Sequence, residues 1–291
     1  MAQGAGLMFL ERKVAILGPG LLGGSLALAL RARVPQLPLC LWARRQSAAA
    51  EVQARGLGDC FEAELGAAIA GASMIVLCTP IGSMASLVRQ MVEVGLEGDA
   101  LVTDVGSVKR PVVEDLQGLI GGRFVGSHPM AGSERTGMAA ARADLFEKAA
   151  CILTPTQLNA AADVQRVGAF WEFLGARLHE LTPQAHDEAV ARISHLPHLM
   201  AVLTTLAALE GDEAVLRFSA GGFRDTTRVA AGDPTLWRGI LEGNRAAVLA
   251  RLDAVELALG QFRQALQQGN TDLLEQRLAR AQELRQRLQA P

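Results

Sequence analysis

The chain has 291 residues, 28 Lys and Arg against 30 Asp and Glu, a formal net charge of −2, and a composition that is half hydrophobic. Such a balance offers no basic excess for nucleic acid or for an acidic membrane surface, and no apolar run reaches the ~18 residues that a spanning helix needs. The length suits two domains, each with its own core. Residues 1–11 hold a short apolar patch without a basic start or cleavage site and read as a loose tail. Cys40, Cys60, Cys78 and Cys151 are scattered without CxxC or metal-ligand spacing, so they read as reduced, partly buried thiols of a cytoplasmic protein.

The first element is Lys13-Val14-Ala15-Ile16-Leu17, a short apolar run that stops at Gly18-Pro19-Gly20-Leu21-Leu22-Gly23-Gly24. An alanine- and leucine-rich helical stretch follows to about Arg33. Strand, glycine turn and helix form the context in which G-x-G-x-x-G binds a dinucleotide, because the turn lets the backbone approach a pyrophosphate at the positive end of the helix. Gly18, Gly20, Leu21, Leu22 and Gly23 are therefore candidate cofactor contacts. A glycine-rich turn that binds nothing is the alternative.

The second strand, Leu39-Cys40-Leu41-Trp42, ends at Ala43-Arg44-Arg45. NAD-selective proteins usually place an acid here for the ribose 2′-hydroxyl. Arg44 and Arg45 instead suit the 2′-phosphate of NADP, so NADP is preferred over NAD, with a solvated helix start as the alternative. Gly56–Phe61 is too glycine-rich to assign the usual third strand. Met74–Leu77 is a strand ending at Thr79-Pro80, two further candidate cofactor contacts. Ala100–Asp104 is another, ending at Ser107, and its helix runs to about Ile120. Phe124-Val125 reads as the last parallel strand, with His128 exposed just beyond it in the turn-forming run Gly126–Gly132. Alternating strands and helices imply a doubly wound parallel sheet whose ligands sit beyond the carboxyl ends of the strands. That places the glycine loop, Thr79, Ser107 and His128 at one crevice. An imidazole there can take and return a proton near neutrality; a solvated surface turn is the other reading.

After Leu153-Thr154-Pro155 the pattern becomes helical, giving a tail over 1–11, a dinucleotide-binding domain over 12–156 and a helical substrate and dimerisation domain over 157–291. Ala185–Leu209 reads as one amphipathic segment kinked at Pro197. His195 and His198 share a helix face. No carboxylate or cysteine completes a metal site there, so no metal is expected, and core histidines satisfied by backbone are the stronger alternative. Phe223-Arg224-Asp225-Thr226-Thr227-Arg228 follows, then Asp233-Pro234, which caps a new helix. Asn244–Gln267 and Thr271–Leu288 are helical, with apolar content suited to a homodimer.

Taken together, these stretches resemble the prephenate/arogenate dehydrogenase family. The resemblance rests on the Gly18–Gly23 loop, DVGSVK at Asp104–Lys109, GSHPMAGSE at Gly126–Glu134, ARADLF at Ala141–Phe146, SHLPH at Ser194–His198, and FRDTTR with DPTLW between Phe223 and Trp237. It spans about Lys13 to Gln267. It implies a Rossmann domain followed by a helical dimerisation domain. It also implies an enzyme of tyrosine biosynthesis that decarboxylates prephenate or arogenate while passing hydride to NAD(P). By the same resemblance His128 is the catalytic base and Ser107 orients the hydroxyl, the imidazole or the nicotinamide. Arg228 would hold a substrate carboxylate, His195 and Glu134 would wall the side chain, and Asp225 would orient arginines. Ala43 departs from the family's usual NAD-selecting acid, and Gly239 stands where many relatives have an acidic residue. Neither a fused chorismate mutase nor an ACT regulatory domain is expected. Two other readings stay open: a β-hydroxyacid dehydrogenase, which typically needs a lysine in the helical domain that Ala185–Gln267 lacks, and a non-catalytic NADP(H) sensor, which would not need His128 with Arg228.

Overall fold

A computed structural model describes residues 12–45, 47–132, 137–211 and 213–288. The chain opens with β1 (Lys13–Leu17), α1 (Leu21–Arg33), β2 (Leu39–Trp42), α2 (Ser47–Ala54), β3 (Cys60–Glu62), α3 (Leu65–Ile69), β4 (Ala72–Leu77), α4 (Ile81–Glu93), β5 (Leu101–Asp104) and α5 (Arg110–Ile120). The five strands pair in the order β3-β2-β1-β4-β5, all parallel. Side chains alternate across a strand, and both faces of this sheet are buried. Val14 and Ile16 of β1 join Met74 and Val76 of β4 in a core with Leu26 and Leu30 of α1. Ala15, Leu17, Ile75 and Leu77 face the other way, onto Met84 and Val88 of α4 and Leu116 of α5. Helices on both faces explain why these strands read as continuous apolar runs.

The third strand, hidden from the sequence reading, is the three-residue β3. Its Cys60 is the register partner of Cys40 on β2, and the two are joined as a disulfide. This corrects the expectation of four reduced thiols; Cys78 and Cys151 are free.

Phe124-Val125 is not a strand of the large sheet either. Phe124 makes one parallel bridge to Val102, and the chain then enters β6 (Gly126–Pro129), so His128 lies within a strand rather than after one. β6 pairs antiparallel with β7 (Ala150–Thr154), which pairs parallel with β8 (Arg177–Glu180) after α6 (Ala161–Phe173). The α/β pattern thus runs on beyond Thr154, where the sequence reading turned to helices alone. β8 escaped notice because it is a polar, largely exposed edge strand.

The helices α7 (Pro183–Val190) and α8 (Leu196–Leu209) are joined by a π-helical turn over Ala191–His195. The π-helical turn directly precedes Pro197, which lies in the first turn of α8. Then come α9 (Gly221–Thr227) and α10 (Pro234–Gly243), the latter capped by Asp233, whose carboxylate accepts from Leu236 N at 2.8 Å. The chain to Asn244 forms one compact unit, and the residues from Arg245 a second. The second unit is the pair α11 (Arg245–Gln267) and α12 (Thr271–Gln286). Among the described residues, no helix is long and apolar enough to cross a membrane.

Candidate active site

The order β3-β2-β1-β4-β5 reverses direction at β1, and the crevice beyond the carboxyl ends of β1 and β4 is where such sheets hold nucleotides. Gly18 follows β1 with φ +104°, a conformation that glycine adopts without strain. A Cβ on Gly18 would meet Cys78 O at 2.8 Å, and one on Gly23 would collide with Gly18 O. Gly20 caps α1 and has open space around it. The first turn of α1 holds no acidic side chain, so its unpaired N–H groups around Leu21, Leu22 and Gly23 present a positive end. These features fit the diphosphate of a dinucleotide. Thr79, whose methyl lies beside Gly18, keeps a buried hydroxyl without a partner, and Pro80 caps α4. Arg44 and Arg45 are exposed just past β2.

Beside this cradle lies a buried polar cluster. His128 is only 7% exposed, against the expectation of an exposed turn. Its Nδ1 lies 2.8 Å from His186 Nε2, and His186 Nδ1 lies 2.8 Å from Asp187 Oδ1. Asp187 accepts from the backbone N–H of Lys109 at 2.7 Å and of Arg110 at 2.9 Å, at the start of α5. The same cap buries the Lys109 ammonium against the Asp104 carboxylate, and Lys109 Nζ donates to Ser127 O at 2.8 Å. Ser127 in turn is held from several sides. Its N–H donates to Asp104 Oδ1 at 3.1 Å, its hydroxyl oxygen accepts from Trp171 Nε1 at 3.0 Å, and the hydroxyl of Thr103 lies 2.8 Å from it. These bonds hold β6, and with it His128, against the end of β5.

Burial is the largest influence on the titration of this cluster. Burial, then the potential charges of His186, Lys109 and His195, press His128 well below the ordinary histidine range. Burial lowers His186 too, opposed by its bond to Asp187. Lys109 is pulled down by burial and held up by Asp104. His195 is pulled to about 4, first by burial.

Of the expected site residues, the cluster brings His128 and His195 together through one bridge. Asn244 Nδ2 donates to Asp187 O at 2.8 Å and lies 3.1 Å from His195 Nδ1. Ser107 is half-buried in the turn between β5 and α5. Arg228 opens a 3-10 turn after α9 and, like Asp225, is exposed. Its neighbour Val229 contacts His198, whose ring stacks on Trp237 at 3.4 Å between centroids. Glu134 lies outside the described residues. The sequence reading gave no role to Asp104, Lys109, Ser127, His186, Asp187 or Asn244. A signal existed for Asp104 and Lys109: two opposite charges five apart, at the end of a strand with apolar neighbours. His186-Asp187 carries none.

The family model "Prephenate dehydrogenase, nucleotide-binding domain" matches residues 26–180, and "Prephenate dehydrogenase, dimerization domain" matches residues 182–280. A cyclohexadienyl dehydrogenase of Zymomonas mobilis is 33% identical over 284 residues, covering 96% of each chain. The structure of a prephenate dehydrogenase from A. aeolicus, in complex with hydroxyphenyl propionate and NAD+, superposes with a TM-score of 0.88 at 28% identity, covering 95% of this chain and 98% of that one. The Synechocystis arogenate dehydrogenase gives 0.81 at 32% identity, covering 95% and 99%.

Proposed function

The chain belongs to the prephenate dehydrogenase family, and from that premise we propose that it oxidatively decarboxylates a cyclohexadienol of the prephenate or arogenate type, in tyrosine biosynthesis. The observation that carries the reading is a buried imidazole, hydrogen-bonded to a second one, at the edge of a nucleotide cradle. When bound, the nicotinamide supplies the acceptor for the hydride of the carbinol carbon. The protein must supply a base for the ring hydroxyl, and His128 is that base, since burial leaves it unprotonated at neutral pH. The ring carboxylate leaves as carbon dioxide, and its bonding pair completes the aromatic ring. No group on the protein has to form a covalent bond.

Ser107, in the half-buried turn at the end of β5, hydrogen-bonds the hydroxyl or orients the imidazole. Arg228 pairs with the ring carboxylate through its planar fork. His195 and Glu134 wall the side chain, and Asp225 orients the arginines. Arg44 and Arg45, with Ala43 where an acid would select NAD, make NADP the preferred cofactor. The protein works as a homodimer through its helical part, whose side chains Leu249, Leu257, Leu259 and Leu266 are each more than half exposed in the single chain.

Steady-state assays with prephenate and arogenate, each with NAD and NADP, test the reading. Reduced nicotinamide should appear in step with carbon dioxide for at least one substrate, with the higher kcat/KM for NADP. Absence of both products with either substrate would overturn it.

A further inference from the structure

His128 is hydrogen-bonded to a second buried histidine, His186. Asp187 receives two backbone N–H groups from the start of α5, one on each carboxylate oxygen. A carboxylate so placed only accepts, so the bond of 2.8 Å between Asp187 Oδ1 and His186 Nδ1 fixes a proton on His186 Nδ1. A neutral His186 then has a bare Nε2. Across 2.8 Å stands His128 Nδ1, which must therefore be the donor. His128 is left with its lone pair on Nε2, on the side of the ring turned away from His186.

We propose that His186 is a positioning residue that locks His128 in the tautomer with a protonated Nδ1 and a basic Nε2. The inference rests on His128 being the base of the proposed reaction. The balance is simple: the substrate hydroxyl proton passes to His128 Nε2 as hydride and carbon dioxide are lost from the ring, and it returns to the phenolate oxygen once the ring is aromatic. His128 becomes an imidazolium whose Nδ1–H still points at a neutral acceptor. Asp187 polarises that acceptor through His186, so the developing charge is stabilised inside a site from which water is largely excluded. Two described neighbours that act on the ring electrostatically are engaged by other groups. Lys109 is a donor engaged by Asp104 and Ser127 O, and His195 Nδ1 faces Asn244.

Two near-isosteric variants separate locking from mere packing. Gln can place an acceptor oxygen where His186 Nε2 stands, while Asn reaches only the Nδ1 position. His186→Gln should therefore keep kcat within about tenfold, and His186→Asn should lower it by roughly 10²–10⁴-fold, the scale expected for a base in the wrong tautomer. In both, KM should change far less than kcat. Histidine-selective ¹⁵N NMR on the full-length protein reads the tautomer without turnover: His128 should be Nδ1-protonated in the wild type and in His186→Gln, but not in His186→Asn. An Nε2-protonated His128 in the wild type would overturn the proposal even if both variants failed to fold. So would equal kcat in the two variants. If the wild type turned over neither prephenate nor arogenate, the functional reading would fall while the NMR result still judged the tautomer.

Discussion

The glycine cradle and the histidine cluster, the two parts of the candidate site, are built in opposite ways. The cradle comes from backbone: one contiguous segment of strand, turn and helix makes a surface that an anion can approach, and its specificity lies in missing side chains. The cluster comes from side chains on β5, the cap of α5, β6, α6, α7, the π-helical turn and the end of α10, segments that meet only in the folded chain. A backbone site tolerates change until a Cβ intrudes. A buried polar network is costly to break at any member, because each lost partner strands another group in low dielectric.

The largest effect should come from the base itself. His128→Asn keeps a polar group but cannot take the hydroxyl proton, so kcat should fall by about 10²–10⁴-fold with KM little changed. The wild-type pH profile carries a matching sign. Because the imidazole is pressed well below its ordinary range, kcat/KM should hold level through neutral pH and fall only once the medium is more acidic than ordinary histidine titration. A variant with near-normal kcat would remove His128 from that role, and a profile that bends near an ordinary histidine pKa would show that burial does not depress the imidazole.

The contrast also governs how much could be read beforehand. The cradle was legible because its signal is local: apolar β1, the glycines and an Ala/Leu helix lie within 21 residues of one another, from Lys13 to Arg33. The cluster was legible only at His128, and even there the burial was misjudged. Gly126, Ser127 and Pro129 have poor strand propensity, and β6 exists because β7 pairs with it and because Asp104, Lys109 and Trp171 fasten Ser127. His186 stands 58 residues from His128, a separation that no periodicity spans. Cys40 and Cys60 were missed likewise, since their pairing depends on the register of two neighbouring strands.

A stability measurement sharpens the comparison next. Lys109→Met keeps the length of the stem but leaves the fully buried Asp104 carboxylate without its ammonium. Breaking one half of a buried ion pair costs about 3–5 kcal/mol, so thermal or denaturant unfolding should show a large loss. Asp104 also accepts from Gly106 N at 2.8 Å and Ser127 N at 3.1 Å, which sets the expectation at the lower end. Loss below about 1 kcal/mol, the scale of an exposed pair, would mean that the network absorbs the change and that its members are not interdependent.

The smallest effect belongs to the rim of the cradle. Arg44 and Arg45 follow β2, and both are exposed. An exposed guanidinium that pairs with a 2′-phosphate is screened by salt and costs side-chain entropy to hold, so it tunes choice between cofactors more than it drives binding. Arg44→Asp reverses the charge and places an acid next to Ala43, the position where an acid would accept from a ribose 2′-hydroxyl. The ratio of kcat/KM for NADP over NAD should fall by about tenfold, the order of one charge-assisted bond after screening. Most of the change should appear in the cofactor KM. In the wild type, raising ionic strength should reduce the same ratio in the same direction, because the contact is open to solvent. A wild-type enzyme that strongly favours NAD would sink the assignment. If instead the ratio stays fixed in Arg44→Asp but falls in Arg45→Asp, the phosphate contact belongs to the second arginine. If neither variant nor salt moves a clear NADP preference, selection lies elsewhere in the cradle and these arginines are a solvated helix start.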